Sequence, residues 1–219
     1  MKPIYLLGWS FFRIFFRVYN RCHVYNRENV PANGPVILAS NHASFIDPPL
    51  IGSSTHREIN YLARETLFRF PVIGSVLKAV NAVPVDREGG GAAGLRAILD
   101  RLLGGGAIIL FPEGTRTPDG RLQAAKSGIG LTVIKSDAPV VPVRVFGTFE
   151  AFSRHHSFPR PRKITVKFGR PIDFSNLRAE AKSCSKQRLK QIYQEIADEI
   201  MRAISGIEPK DGGESSELM

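Results

Sequence analysis

The sequence predicts an α/β domain in which a central, mostly parallel sheet is flanked by helices. Short apolar runs typical of buried strands alternate along the chain with segments of helical periodicity. The length of 219 residues suits one domain with a full core. We therefore expect a helical segment over residues 1–24, the α/β domain over 25–205 and a disordered tail over 206–219.

The N-terminal segment combines bulky apolar side chains with a regular basic stripe. Arg13, Arg17 and Arg21 recur every four residues beside aromatic residues such as Trp9 and Phe12. A charge on every turn argues against a bilayer-spanning helix, which needs about 20 mostly apolar residues. The pattern predicts an amphipathic helix that anchors the protein in the membrane interface. The alternative is a helix that packs its aromatic stripe on the protein core.

The remaining elements follow from apolar runs, prolines and periodicity. Strands are predicted at residues 36–39, 59–62, 82–85, 107–111, 140–146 and 164–168. Helices are predicted at 48–54, 72–80, 92–103 and 129–136, the first because Pro48 and Pro49 suit an opening helical turn. A stripe of apolar residues over 189–204 predicts a last helix that covers the sheet. Few large apolar residues follow it, which indicates the tail.

His42 and Asp47 form a candidate catalytic pair after the predicted strand 36–39. An imidazole titrates near neutral pH and can take a proton from a hydroxyl, while a carboxylate on its other nitrogen fixes the tautomer. Five positions along one helix would separate the side chains. The pair therefore requires a turn, with His42 before a helix and Asp47 near its start. The spacing alone is weak evidence, since His23 and Glu28 share it.

A second candidate segment, residues 111–116, reads Phe-Pro-Glu-Gly-Thr-Arg and leaves the end of the predicted strand 107–111. Ligands of open α/β sheets gather at the carboxyl ends of strands. Gly114 allows a ligand to approach the backbone, and the planar guanidinium of Arg116 suits a phosphate.

Three other sequence patterns are weaker evidence for a functional site. The glycine-rich segment 89–94 satisfies a dinucleotide fingerprint, but residues 86–88 separate it from the strand and bring two carboxylates that would repel a pyrophosphate. We interpret it as a loop. The adjacent pair His155 and His156 is interpreted as an exposed loop and not as a metal site. Cys22 and Cys184 have no metal-like spacing and indicate a reducing compartment.

These motifs together resemble the glycerolipid acyltransferase family over roughly residues 25–175. The first family motif, His with Asp after four intervening residues, is His42 to Asp47, and the third is present in full at residues 111–116. Residues 85–87, which end in Arg87, resemble the second motif, and the apolar residues 140–143 around Pro142 resemble the fourth. Lys126 matches a lysine that often follows the third motif.

The resemblance implies transfer of a fatty acyl chain to 1-acylglycerol-3-phosphate, which gives phosphatidic acid. His42 would deprotonate the glycerol hydroxyl, which would attack an acyl thioester directly while Asp47 orients the base. Backbone N–H groups could stabilise the oxyanion. Six residues are expected to bind the acceptor. Arg116, Arg87 and Lys126 would contact its phosphate, and Glu113, Gly114 and Thr115 would shape the rest of its pocket. No metal or cofactor is expected beyond the thioester co-substrate, acyl-CoA or acyl carrier protein.

The net charge of +10 favours a polyanionic partner. Together with the N-terminal pattern, it predicts attachment to an anionic membrane and no nucleic acid. The resemblance implies an enzyme on the cytoplasmic face of that membrane, with lysophosphatidic acid as a membrane partner. Two alternatives remain. The acceptor could be another lysolipid, either a lysophospholipid or an amino-acid lipid. A non-catalytic basic protein that binds lipid or nucleic acid would explain the charge but would not require His42, Asp47 and Glu113 together.

Overall fold

The computed structural model describes residues 1–85, 92–209 and 216–219, and within these ranges eight strands form one mixed sheet. The strands are β1 (His23–Tyr25), β2 (Val36–Ser40), β3 (Ile59–Arg64), β4 (Ala82–Val85), β5 (Ala107–Leu110), β6 (Val140–Phe146), β7 (Thr165–Phe168) and β8 (Ser216–Leu218). Their order is β4-β3-β5-β2-β6-β7-β1-β8, antiparallel only at β6–β7 and β1–β8. The predicted α/β class with a mostly parallel sheet is confirmed.

Helices connect and cover these strands. They are α1 (Pro3–Tyr19), α2 (Asp47–Ser53), α3 (Pro71–Ala79), α4 (Ala92–Leu103), α5 (Gly128–Ser136), α6 (Thr148–Phe152), α7 (Ser175–Ala181) and α8 (Lys186–Ser205), with 3₁₀ turns at Arg27–Asn29 and Glu65–Arg69. Each strand predicted from the sequence, and each helix predicted at 48–54, 72–80, 92–103 and 129–136, is present within two residues of its expected ends. Helix α8 begins three residues before the predicted stripe 189–204, and α1 ends five residues before the expected end of the N-terminal segment at residue 24. The short elements β1, β8, α6 and α7 were not predicted.

Two hydrophobic cores lie on opposite faces of the sheet. Strand β2 contributes to both, because successive side chains of a strand point to opposite sides. Val36 and Leu38 pack in the core that includes Phe16 of α1 and residues of α2. Ile37 and Ala39 pack in the core shared by α4, α5 and α8. The stripe on α8, with Ile192, Ile196, Ile200 and Ile204 fully buried, is core as predicted.

Helix α1 is part of the folded domain. Tyr5 and Phe16 are buried, and the Trp9 indole donates a 3.0 Å hydrogen bond from Nε1 to the carbonyl of Thr55. The expected boundary between residues 24 and 25 falls inside β1, which pairs with β7. Within the described ranges, no helix is long and apolar enough to cross a membrane.

The end of the chain differs from the disordered tail expected for residues 206–219. Helix α8 does end at Ser205, but Ser216–Leu218 adds an antiparallel edge strand to β1. The Met219 amide donates to the Cys22 carbonyl, and the Met219 side chain is fully buried. These contacts place the segment at the open edge of β1, although its sequence lacks an alternating strand pattern.

Candidate active site

The loop between β2 and α2 brings His42 and Asp47 together. His42 Nδ1 lies 2.8 Å from Asp47 Oδ2, and Asp47 is the first residue of α2 and fully buried. The same carboxylate oxygen accepts 2.7 Å hydrogen bonds from the backbone N–H groups of Ala43 and Ser44. The pair thus forms across a turn, with the geometry expected from its spacing.

This contact bears on which nitrogen of the neutral imidazole carries the proton. A carboxylate at Nδ1 favours the tautomer that carries its proton there, which leaves the lone pair of Nε2 available as a base. The His42 side chain is 13% exposed, so it is shielded but remains accessible from the two cavities described below. The arrangement can therefore take a proton from a hydroxyl and hold the resulting imidazolium beside a carboxylate.

The segment that follows β5 lies next to this loop because β2 and β5 are parallel neighbours. The Phe111 ring stacks on the His42 imidazole, with ring centroids 3.8 Å apart and planes inclined by 15°. The Thr117 amide also donates a 2.8 Å hydrogen bond to the His42 carbonyl. The third motif therefore supports His42 from its side, through a contact of Phe111 that the sequence did not predict.

The structure places Glu113, which the sequence predicted to bind the acceptor, in contact with backbone groups of the protein. The residue is 2% exposed, and both of its carboxylate oxygens are engaged by backbone groups. Oε1 accepts a 2.8 Å hydrogen bond from the His42 N–H, and Oε2 accepts one of 3.1 Å from the Gln123 N–H. Burial raises the pKa of Glu113, an effect that the two N–H groups partly oppose. Glu113 thus ties the two motif loops together and positions His42.

Gly114 and Thr115, both expected to bind the acceptor, differ in their positions relative to the cavities around His42. Gly114 has φ of 72°, a conformation that favours glycine, and a methyl group there would lie 3.0 Å from Lys126 Cδ. Its N–H donates to the Phe111 carbonyl at 2.9 Å, so this amide is not available as an oxyanion donor. Thr115 is exposed and lines neither of the cavities around His42.

Arg116 lies over an aromatic ring. Its guanidinium carbon is 3.4 Å from the centroid of Phe45, and the Phe45 ring contacts Phe152 with centroids 5.4 Å apart. The Arg154 guanidinium donates to the Arg116 carbonyl. Phe45 belongs to the loop of His42 and Asp47, so the same loop holds the base and supports the arginine.

Two cavities of about 720 and 730 Å³ meet at His42. The first, here named the α4–α5 cavity, includes Gly114, Lys126, Leu95 and Ile129. The second, the α1–α3 cavity, includes Arg116 with side chains from α1 and α3. Besides His42, the residues that line both are Pro48, Tyr61 and Leu62.

The cavities separate two residues that were expected to act together. Arg116 lines the α1–α3 cavity and Lys126 lines the α4–α5 cavity, so the structure does not assemble them around one pocket for a phosphate. The third expected cation, Arg87, and residues 89–91 of the glycine-rich segment lie outside the described residues. Of the two expected phosphate ligands that the structure describes, Arg116 is the one that lines the α1–α3 cavity together with His42.

The other candidates are structural. His155 Nε2 lies 2.9 Å from the Pro118 carbonyl, and His156 Nδ1 accepts a hydrogen bond from the Ser153 N–H. In the part of the chain that the structure describes, no three His, Cys, Asp or Glu side chains are grouped to hold a metal ion. Cys22 is fully buried, which raises the pKa of its thiol to about 12 and keeps it protonated.

Comparison with known proteins agrees with this geometry. The family model described as Acyltransferase matches residues 21–146, which include the loops of His42 and Arg116. The chain belongs to the acyltransferase family. As an acyltransferase it resembles the glycerolipid group, as the motifs predicted: it is 29% identical over 182 residues to the 1-acyl-sn-glycerol-3-phosphate acyltransferase of Bacillus subtilis, an alignment that covers 79% of this chain and 88% of that protein.

Two further comparisons extend the similarity. A chloroplastic 1-acyl-sn-glycerol-3-phosphate acyltransferase of Arabidopsis thaliana is 32% identical over 124 residues, which cover 55% of this acyltransferase and 35% of the plant protein. The crystal structure of the 1-acyl-sn-glycerophosphate acyltransferase PlsC from Thermotoga maritima superimposes with a TM-score of 0.70 at 26% identity. That alignment covers 95% of this chain and 81% of the Thermotoga chain, so the two acyltransferases share their fold.

Proposed function

We propose that this acyltransferase moves a fatty acyl group from a thioester to the free hydroxyl of 1-acylglycerol-3-phosphate and so forms phosphatidic acid. The observation that carries the proposal is the 2.8 Å contact between His42 Nδ1 and Asp47 Oδ2 at the point where two cavities meet. A reaction of two substrates needs both to reach one base. The names of the relatives in Bacillus and Thermotoga support the choice of acceptor.

In the proposed mechanism, His42 acts as a general base without a covalent enzyme intermediate. Nε2 takes the proton of the glycerol hydroxyl as its oxygen attacks the thioester carbonyl carbon. The new C–O bond forms, the C–S bond breaks, and the proton passes from the imidazolium to the departing thiolate. Asp47 stabilises the imidazolium through Nδ1. General base catalysis of this kind contributes about 10²–10⁴ in rate.

The linings of the two cavities suggest which substrate binds in each. Arg116 lines the α1–α3 cavity, and a guanidinium there suits the phosphate of the acceptor. The thioester would then approach from the α4–α5 cavity, which is lined largely by apolar side chains that suit a hydrocarbon chain. The reacting groups would meet beside His42. Positioning of two reactants in this way can account for several kcal/mol of the barrier.

The proposed location is the cytoplasmic face of a membrane, without a spanning helix. Helix α1 exposes one row of apolar side chains, and Ile4, Leu7, Phe11, Ile14 and Val18 follow each other at intervals of three and four. Such a row forms one helical face, and it lies opposite the buried Tyr5 and Phe16. An apolar helical face beside basic residues favours peripheral attachment to lipid. The two cysteines are unpaired, which fits a reducing compartment.

An assay of purified protein tests the proposal. Lysophosphatidic acid, lysophosphatidylcholine and an amino-acid lysolipid would each be offered with acyl-CoA and with acyl carrier protein thioester, and lipid products and released thiol would be measured together. We expect phosphatidic acid and thiol in equal amounts. Acylation of a different lysolipid, with none of lysophosphatidic acid, would overturn the acceptor assignment.

A matched pair of variants tests the base. His42→Ala should nearly abolish turnover, whereas His23→Ala should retain it. His23 has a carboxylate, Glu28, at the same spacing, but it lies in β1, three strands away from β2 in the sheet. Circular dichroism would establish that both variants are folded. Similar turnover in both variants would contradict the mechanism.

A further inference from the structure

A second set of exposed apolar side chains lies outside α1. It consists of side chains from the 3₁₀ turn Glu65–Arg69 and from α3, and we name it the α3 patch: Leu67, Phe70, Val72, Ile73 and Val76. Val72 is 78% exposed, Phe70 58% and Val76 54%. Scattered apolar residues are ordinary on a protein surface, but five within ten residues mark a surface that contacts something.

The α3 patch stands at the wall of the cavity that holds Arg116. Val76 is both exposed and part of the lining of the α1–α3 cavity, where Leu77 and Val80 join it. Across the cavity, α1 contributes Gly8 and Phe12. The helices approach each other closely, because a methyl group on Gly8 would lie 3.6 Å from Val80 Cγ1. The cavity therefore lies between two helices that each expose apolar side chains.

The charges near the α3 patch fit an anionic lipid surface. Residues 64–80 contain three cations, Arg64, Arg69 and Lys78, and one carboxylate, Glu65, and all four residues are exposed. Apolar side chains that enter the acyl region, with cations at the level of the phosphates, are the features of an interfacial helix. A protein partner would need a complementary surface, whereas a bilayer needs only this combination.

We propose that the α3 patch is a second contact with the bilayer, so that the protein meets lipid through α1 and α3 and the α1–α3 cavity opens toward the membrane between them. A lysolipid would then pass sideways from the bilayer, with its phosphate moving to Arg116 and its hydroxyl to His42. The identity of this lipid rests on the proposed function. The contact itself does not, because it can be measured without turnover.

Fluorescence quenching in vesicles tests the contact directly. The chain has one tryptophan, Trp9, so a Trp9→Phe background allows a single reporter at Val72→Trp or at Leu103→Trp. Leu103, at the end of α4, is a matched control because it is apolar and 74% exposed. The full chain would be mixed with phosphatidylcholine vesicles that contain phosphatidic acid and brominated acyl chains.

We expect bromine to quench at least half of the Val72→Trp emission and to leave Leu103→Trp nearly unchanged. Equal quenching at both positions, or none at position 72, would overturn the proposal. A blue shift of Val72→Trp emission that grows with protein concentration in the absence of vesicles would show that a second copy covers the patch, and would overturn it as well.

A functional comparison separates this proposal from the proposed reaction. The double variant Val72→Ser, Ile73→Ser should bind vesicles about tenfold more weakly than Leu103→Ser, and should lose a similar factor of activity on bilayer lysophosphatidic acid. Activity on a dispersed short-chain analogue should be unchanged. Absence of acyl transfer in wild-type protein would refute the proposed function. Vesicle binding would still test whether the α3 patch contacts the bilayer. Equal vesicle binding by the two variants would refute the patch alone.

Discussion

Glu113 holds the backbone of His42, the base in the proposed mechanism. Its Oε1 accepts a 2.8 Å hydrogen bond from the N–H of His42, a residue 71 positions earlier in the chain, while Oε2 accepts one from Gln123. The carboxylate is buried, and both of its oxygens accept hydrogen bonds from the backbone. We therefore expect Glu113 to affect the reaction by holding His42 in place, and we infer that Glu113 is a positioning residue.

Glu113→Gln should therefore lower kcat more than it raises the KM of either substrate. A glutamine has one acceptor oxygen where glutamate has two, so one of the two backbone N–H groups would face an amide NH₂. Loss of a hydrogen bond to a charged group costs roughly 1.5–3 kcal/mol, or about tenfold in rate or more. Steady-state kinetics with both substrates varied would check this. A rise in acceptor KM alone would instead mean that Glu113 binds the acceptor.

The raised pKa of Glu113 makes a prediction about stability. Because burial raises this pKa above its ordinary value of 4.5, the folded state binds a proton more tightly than the unfolded state. The contribution of Glu113 to stability is thus fully present below pH 4.5 and is lost as pH rises through the raised pKa. Urea denaturation at several pH values should show the free energy of unfolding of the wild type falling, relative to Glu113→Gln, above pH 4.5. A constant difference would contradict the raised pKa.

Asp47→Asn should reduce turnover by about 10²–10⁴, the range that general base catalysis contributes. An asparagine oxygen could replace Oδ2 and accept the hydrogen bonds from Ala43 and Ser44, but it carries no charge to stabilise the imidazolium. Its NH₂ would occupy the site of Oδ1, which has no hydrogen-bond partner among the described residues. Single-turnover kinetics would measure the loss. A drop in rate that disappears at high acceptor concentration would point to a binding role.

Phe45 should tune the binding of the phosphate through Arg116. A guanidinium over an exposed ring gains about 0.5–1 kcal/mol, so Phe45→Leu should raise the acceptor KM about twofold to fivefold. Arg116→Ala should raise it by more, about tenfold or above, because it removes the charged contact itself. Phe45→Tyr keeps the aromatic ring and serves as the control, so its acceptor KM should equal that of the wild type. An increase in the thioester KM would assign Arg116 to the donor.

The two faces of α1 should respond differently to the same substitution. Leu7→Ser with Phe11→Ser changes the outer face and should weaken binding to anionic vesicles while the melting temperature stays unchanged. Phe12→Ser with Phe16→Ser changes the side that packs on the core. Removing a buried aromatic side chain costs about 3–5 kcal/mol, so this pair should lower the melting temperature. Vesicle sedimentation and thermal unfolding would separate the effects. Loss of attachment in the second pair alone, with its fold intact, would reverse the assignment of the faces.

The sequence predicted the features that depend on neighbours along the chain. His42 and Asp47 are five residues apart, so strand, turn and helix start determine their contact. The role of Glu113 depends on a backbone N–H 71 residues away, and no local pattern distinguishes a carboxylate that binds a ligand from one that binds a loop. The same holds for Arg116 and Lys126, which are near in sequence but line different cavities.

Helix α1 shows a second limit of local reasoning. Its periodicity indicates two faces, yet Trp9 and Phe12, expected in the lipid-facing aromatic stripe, lie on the side that packs on the protein. Leu7, Phe11 and Ile14 are the exposed residues. Both sides of the helix are apolar, and only the docking of Phe16 into the core decides between them. Strands β1 and β8, with three residues each, are too short for a pattern.

The three hydrogen bonds to Asp47 Oδ2 come from the very loop that carries His42. An oxygen that already accepts three donors has little freedom to swing when a ligand arrives, so the base is organised before the substrate binds. None of the intrinsic binding free energy of a lysolipid is then consumed in assembling the catalytic pair, and all of it can hold the hydroxyl against the carbonyl. A poor acceptor should be slow because its hydroxyl is misplaced, and not because the base has failed to form.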